Sequence, residues 1–140
     1  MPASLPITIR RAIRDDAPDL LRLIRALADF EKLDPPSPEA EGRLIQHGFE
    51  TEPAKFEVWL AFVPESDTPV AYAFLVETYS SFLAKPTLYL EDLFVEEAHR
   101  NRGIGMALLN HILELAKERD CGRVEWTALD WNVNAQRVYE

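Results

Sequence analysis

The chain has 140 residues, of which 47% are hydrophobic and 28% are charged, a composition typical of one folded domain and not of a disordered segment. The formal net charge of −9 argues against nucleic acid or an anionic membrane as a partner and suits a cationic ligand. The sequence shows no membrane-spanning run and no signal-peptide pattern, and the single cysteine, Cys121, excludes an intrachain disulfide, so we expect a cytoplasmic protein.

Hydrophobic periodicity predicts a domain that mixes strands and helices. In chain order the predicted elements are a strand at 7–10, helices at 18–30 and 38–49, strands at 56–63, 70–78 and 87–95, a helix at 103–119, a strand at 123–128 and the start of a helix at 135–140. Asp15 or Asp16 is the expected N-cap of the first helix, and residues 79–86 are expected to form a loop. Because hairpins and a crossover occur together, we predict an α/β or α+β sheet covered by helices.

The most informative segment is a strand followed by a basic, glycine-containing turn and a long helix. Residues 90–95 read Leu-Glu-Asp-Leu-Phe-Val, and residues 100–105 read Arg-Asn-Arg-Gly-Ile-Gly. The N–H groups at a helix start favour an anion, and Gly103 and Gly105 would let a phosphate approach the backbone, with Arg100 and Arg102 adding positive charge. We interpret this turn as a pyrophosphate site; the alternative is a tight turn without a ligand. The spacing matches neither the dinucleotide fingerprint nor the Walker loop.

These motifs resemble the GCN5-related N-acetyltransferase (GNAT) superfamily, whose signature Arg/Gln-x-x-Gly-x-Gly/Ala is here Arg100-x-x-Gly103-x-Gly105. Segments 9–12, 27–31, 89–95 and 131–132 and Tyr139 are similar to the diamine acetyltransferases, the spermidine/spermine and thialysine group. The resemblance implies one N-acetyltransferase domain over 1–140, with a mixed, mostly antiparallel sheet, splayed central parallel strands and helices on both faces. It also implies a homodimer, and a chain that stops after the start of its last helix, because family members continue into two more strands.

The resemblance also implies the residues of two neighbouring sites. Acetyl-CoA would be bound by Leu93, Phe94, Val95, Arg100, Asn101, Arg102, Gly103, Ile104, Gly105, Met106, Asn132, Val133, Asn134 and Ala135. The amine would be bound by Phe30, Glu31, Glu91, Glu125, Trp126 and Thr127. The backbone of residues 93–95 would pair with the pantetheine amides, as an added strand does.

The chemistry requires one group to take a proton from the amine and another to protonate the thiolate product. A lysine-like ammonium has a pKa of ~10.4, so its deprotonation at pH 7 costs about 4.6 kcal/mol, and a nearby carboxylate is needed. Glu91 and Asp92 are neighbours in a strand and are expected to point to opposite faces, and the resemblance selects Glu91 as the base. Tyr139 is by resemblance the acid; the residues alone favour a core tyrosine.

The predicted function is therefore transfer of acetyl from acetyl-CoA to the primary amine of a polyamine, thialysine or a related amino acid, by direct attack in a ternary complex. Two alternatives stay open, a non-catalytic acyl-CoA-binding module and a protein-lysine acetyltransferase. The three histidines and one cysteine do not have the spacing of metal ligands, so no metal is expected.

Overall fold

A computed structural model of the chain describes residues 6–126, and within them a five-stranded sheet carries helices on both faces. The elements are β1 (Thr8–Arg11), α1 (Ala17–Glu31), α2 (Pro38–Ile45), β2 (Glu57–Phe62), β3 (Ala71–Ser80), β4 (Lys85–Val95), α3 (Ile104–Glu118) and β5 (Val124–Trp126). The strands lie in sequence order; β1 to β4 pair antiparallel, and β4 pairs parallel with β5. The predicted mixed, mostly antiparallel sheet is confirmed.

Two cores lie on the two faces of the sheet. On one face α1 buries the predicted stripe of Leu20, Leu23 and Leu27 against β2, β3 and β4. On the other face α3 buries apolar residues at helical spacing, which are Ile104, Leu108, Leu109, Ile112 and Leu115. The α1 face and the α3 face are therefore separate environments, and the side to which a strand residue points decides which of them it enters.

Two local predictions need correction. Asp16 occupies the predicted N-cap position of α1, but its side chain makes no cap hydrogen bond; its carboxylate accepts hydrogen bonds from both terminal nitrogens of Arg10 (2.8 Å each) and from the Ile13 N–H (2.8 Å). These bonds, with that to Arg10 dominant, hold the pKa of Asp16 below its usual value. Residues 79–86 are not a loop, because β3 and β4 stay paired as far as Ser80 and Lys85 and leave only a short turn.

A β-bulge in β4 overturns the prediction that Glu91 and Asp92 point to opposite faces. Phe74 pairs with Asp92, but the next residue of β3 pairs with Leu90, so Glu91 is the extra residue in the ladder. Leu90 and Leu93 both pack into the α3 face. The two acidic residues between them are consequently both displaced toward the α1 face.

Candidate active site

The turn that precedes α3 has the geometry of an anion site built from backbone. Gly103 is the N-cap of α3 with φ of 82°, a left-handed conformation that favours glycine, and no side-chain cap hydrogen bond occupies the helix start. A Cβ added to Gly105 would lie 3.6 Å from Cγ2 of Val95, in ordinary contact, so packing within the described residues does not demand glycine there. The cradle left by this glycine fits the close approach of the acetyl-CoA pyrophosphate.

The two predicted phosphate-binding arginines contact protein groups. Nε of Arg100 donates to the Val95 carbonyl (2.9 Å), and its guanidinium carbon lies 4.3 Å from the centre of the Phe30 ring and 5.4 Å from that of Phe94. Arg102 forms an ion pair with Glu65 (2.6 Å), which holds the pKa of that carboxyl below its usual value. An anion bound at this turn would therefore be held mainly by the backbone N–H groups and the helix dipole.

Of the other predicted cofactor residues, some are buried in the two cores and some are exposed around the turn. Leu93 and Ile104 are buried on the α3 face and Phe94 on the α1 face, so these three can reach a ligand only through backbone atoms. Asn101, with φ of 64°, and Met106 are exposed around the turn.

The edge of β4 that would receive pantetheine is partly occupied. The Glu96 N–H donates to the Val70 carbonyl of the loop before β3, so the backbone groups of Glu96 point toward β3. Because the backbone N–H and C=O groups of successive strand residues point to opposite sides of the strand, those of Leu93 and Val95 point away from β3. The Val95 carbonyl on that edge already accepts from Arg100. Pairing at Leu93 is therefore the part of the expected added-strand contact that this geometry supports best.

Three carboxylates gather beside this edge, and we call Glu31, Glu91 and Asp92 the acidic cluster. Glu31 is the last residue of α1, which ends because Lys32 adopts a left-handed conformation with φ of 59°. The bulge of β4 supplies the other two carboxylates. The charges of all three raise the pKa of the buried Tyr72, together with the larger effect of burial, so they act on one small region.

Asp92 is the member of the acidic cluster that was not predicted from the sequence motifs. Burial raises its pKa to about 6, the charges of Glu91 and Glu31 add to this, and a hydrogen bond from the Tyr72 hydroxyl (3.1 Å) opposes it. A signal was present, because the apolar spacing in β4 changes from two residues, Leu88 to Leu90, to three, Leu90 to Leu93. Such a change of phase indicates a bulge.

The structure does not bring all predicted amine-site residues together. Phe30 lies near the turn before α3 (residues 100–105), which we call the phosphate turn, through its contact with Arg100. Glu125 is exposed and pairs with Arg123 (3.1 Å). Trp126 packs into the α3 face, on the side of the sheet opposite the Tyr72–Asp92 pair, because it pairs with Leu90. The other predicted residues, Thr127, Asn132, Val133, Asn134, Ala135 and Tyr139, lie outside the described residues.

Two features are absent from the part of the chain that the structure describes. Among residues 6–126, no group of three histidine, cysteine, aspartate or glutamate side chains is arranged to hold a metal ion. No helix in that range is both long enough and apolar enough to cross a bilayer.

Comparison with known proteins identifies the family. Residues 20–140 match the acetyltransferase (GNAT) family. The thialysine N-epsilon-acetyltransferase of Bos taurus is 31% identical over 140 residues, covering 96% of this chain and 81% of that protein. The L-ornithine N5-acetyltransferase of Arabidopsis thaliana is 43% identical over 82 residues, covering 56% of this chain and 36% of that protein. The crystal structure of a probable acetyltransferase superposes with a TM-score of 0.80 at 23% identity, covering 94% of this chain and 85% of that one. A basic glycine turn at the start of α3, a bulged strand beside it and these matches establish that the chain belongs to the GNAT family of acetyltransferases.

Proposed function

We propose that this enzyme transfers the acetyl group of acetyl-CoA to the primary amine of a small cationic molecule, such as a polyamine, thialysine or a related amino acid. The observation that carries the proposal is the acidic cluster, which lies beside the strand edge and the phosphate turn that suit the co-substrate. Negative charge at that place favours an ammonium group over a neutral or anionic acceptor. The names of the relatives from Bos taurus and Arabidopsis thaliana support an amine of this class.

Each residue of the acidic cluster has a proposed role. Acetyl-CoA, when bound, supplies an activated thioester carbonyl that a neutral amine attacks directly. Glu91, which is exposed, accepts the proton of the ammonium directly or through water. Asp92 and Glu31 hold the positive charge of the substrate before that transfer. Tyr139 keeps its proposed role as the acid that protonates the departing thiolate, on the strength of the family resemblance alone.

We also propose a homodimer in the cytoplasm. The turn between β3 and β4 exposes two neighbouring apolar side chains, Phe82 (97% exposed) and Leu83 (46% exposed), and an exposed apolar patch supports a subunit contact at this place. Light scattering tests the assembly: a mass near twice 16.0 kDa is expected, and a fully active particle with the mass of one chain would contradict it.

The decisive experiment measures acetyl-CoA consumption with a panel of polyamines, basic amino acids and lysine-containing peptides, beside calorimetric binding of CoA. Turnover with small amines and not with peptides is the expected result. CoA binding without turnover on any amine would instead favour the acyl-CoA-binding module, and turnover confined to peptides would favour the protein-lysine acetyltransferase.

A pair of variants then tests the acidic cluster on the best amine. Glu91→Gln should lower kcat/KM by roughly 10²–10⁴-fold, the contribution usual for a general base, with CoA binding retained. Glu118→Gln, an exposed carboxylate in the last turn of α3, is the matched control and should match the unmodified enzyme.

A further inference from the structure

We propose that Tyr72 is a positioning residue that keeps Asp92 ionised and oriented, so that Asp92 can hold the ammonium group of the substrate. This inference rests on the proposed function. The Tyr72 side chain is fully buried on β3, and its hydroxyl lies 3.1 Å from Oδ2 of Asp92. Tyr72 pairs with Phe94, two residues beyond Asp92 on β4, so tyrosine and aspartate are diagonal neighbours on one face.

The bulge is what makes this contact possible. Regular alternation from Leu88 and Leu90 would send Asp92 into the apolar α3 face. The extra residue at Glu91 turns Asp92 to the α1 face instead, where the Tyr72 hydroxyl meets it. Two features of neighbouring strands, a bulge and a buried phenol, thus place one carboxylate.

The surroundings of Asp92 otherwise favour its neutral form. Glu91 faces it from its own strand and Glu31 from the end of α1, and both carboxylates raise its pKa, as burial does more strongly. The hydroxyl of Tyr72 on β3 acts in the opposite direction, because a donated hydrogen bond stabilises the charged carboxylate. Tyr72 remains a neutral donor, since burial and the neighbouring carboxylates raise its own pKa well above its usual range. The occupied oxygen is Oδ2, which leaves the ammonium to Oδ1.

The first test needs no substrate, so its outcome is independent of the proposed function. Carboxyl carbon resonances of aspartate are followed by NMR against pH, and the Asp92 signal is assigned by its loss in Asp92→Asn. In Tyr72→Phe the titration midpoint of Asp92 should rise by roughly one pH unit, the size expected for one hydrogen bond to a carboxylate. Tyr79→Phe, which removes a hydroxyl from an exposed residue of the same strand, should leave the midpoint unchanged.

A second probe avoids any risk that Tyr72→Phe fails to fold. Biosynthetic incorporation of fluorotyrosine makes the phenol a stronger donor, so the Asp92 midpoint should move to lower pH, opposite to the effect of Tyr72→Phe. If the titration midpoint of Asp92 stays the same in Tyr72→Phe and in the fluorotyrosine protein, the proposal is overturned.

The kinetic test uses an amine that the enzyme acetylates. The acid limb of kcat/KM against pH should move upward in Tyr72→Phe by the same amount as the midpoint, with KM for the amine raised at about pH 6, kcat within about twofold and CoA affinity unchanged. In an Asp92→Asn background Tyr72→Phe should have no further effect on kcat/KM. A loss that is equal at every pH and equal in both backgrounds would show that Tyr72 serves packing alone and would refute the positioning role.

Discussion

The guanidinium carbon of Arg100 lies 4.3 Å from the centre of the Phe30 ring, and this contact joins the beginning of the phosphate turn to the end of α1. Nε of the same arginine donates to Val95 at the end of β4. One side chain thus links the helix that ends in Glu31 to the strand that carries Asp92. Arg100 therefore connects the part of the site proposed for the co-substrate with the part proposed for the amine.

Replacement of Arg100 by lysine should therefore weaken the fold although the charge is kept. An ammonium lacks the planar surface that stacks on an aromatic ring, and it cannot reproduce the Nε–H bond to the Val95 carbonyl in the same geometry. We expect the free energy of unfolding to fall by about 1–2 kcal/mol in urea denaturation. Arg43→Lys, on the exposed side of α2, is the control. Equal stability of the two variants would contradict the linking role.

Gly105→Ala should separate ligand binding from folding. The added methyl would be in ordinary contact with Val95, and alanine is the better helix former, so the unfolding free energy should stay equal or rise by up to about 1 kcal/mol. The same methyl occupies the space proposed for a phosphate oxygen, so the Kd for CoA should rise at least about tenfold, or 1.4 kcal/mol, in calorimetry. A stable variant with unchanged affinity would remove the turn from the binding site.

Asp92→Asn should stabilise the protein at high pH while impairing the enzyme. The pKa of Asp92 is raised to about 6 in the folded chain, so the protonated form favours folding; that stability is full below the unfolded value near 3.8 and is lost as pH rises through about 6. Asparagine stays neutral and still accepts from Tyr72. We expect a gain of about 1–3 kcal/mol at pH 8 that shrinks toward zero near pH 4, measured by urea denaturation.

The control for this pH dependence is Asp29→Asn, which neutralises an exposed carboxylate on α1. Its effect on the unfolding free energy at pH 8 should stay within about 0.5 kcal/mol, the usual range for a surface substitution. If Asp92→Asn is less stable than the unmodified protein at pH 8, ionised Asp92 is not strained in the folded state.

Two glycines near α2 should respond to alanine in opposite directions. A Cβ on Gly48, in the π-helical turn Gln46–Glu50, would clash with Cζ of Phe56, whose ring stacks on Phe74 at 4.2 Å. Gly48→Ala should therefore cost about 1–3 kcal/mol of unfolding free energy. Gly42→Ala, with no atom within 4 Å of its added Cβ, should gain about 0.5–1 kcal/mol. Thermal or urea unfolding of both variants tests this, and the same sign for both would contradict the packing described for Phe56.

Within residues 6–126, periodicity was sufficient to predict the order of the main strands and helices, because it reports burial of a face. The stripe of α1 and the start of α2 after Ser37, whose hydroxyl accepts from the Ala40 N–H, follow from spacing and capping chemistry alone. Asp16 occupies the predicted N-cap position, but its side chain makes no cap hydrogen bond because Arg10, six residues away, supplies a bidentate partner that a local rule does not consider.

The acidic cluster shows a different limit. Glu91 could be selected from a motif, but the partnership of Tyr72 with Asp92 depends on the pairing of two strands and on the bulge between them. Contact between residues 20 apart in the chain depends on tertiary structure. In the sequence, only the changed spacing of the leucines in β4 indicates the bulge on which this contact depends. Trp126 was misplaced for the same reason, since its face follows from its pairing with Leu90.

Replacement and deletion of the extra residue in β4, Glu91, have different consequences. Glutamine in place of Glu91 would remove a charge and leave every later residue of the strand on its present side. Deletion of the same position would instead leave a regular ladder in which Phe74 still pairs with Asp92 and Leu75 with Leu90, so that Leu93 and Phe94 would keep their present faces. The extra residue therefore adds a carboxylate at the proposed active site without disturbing the packing of either core.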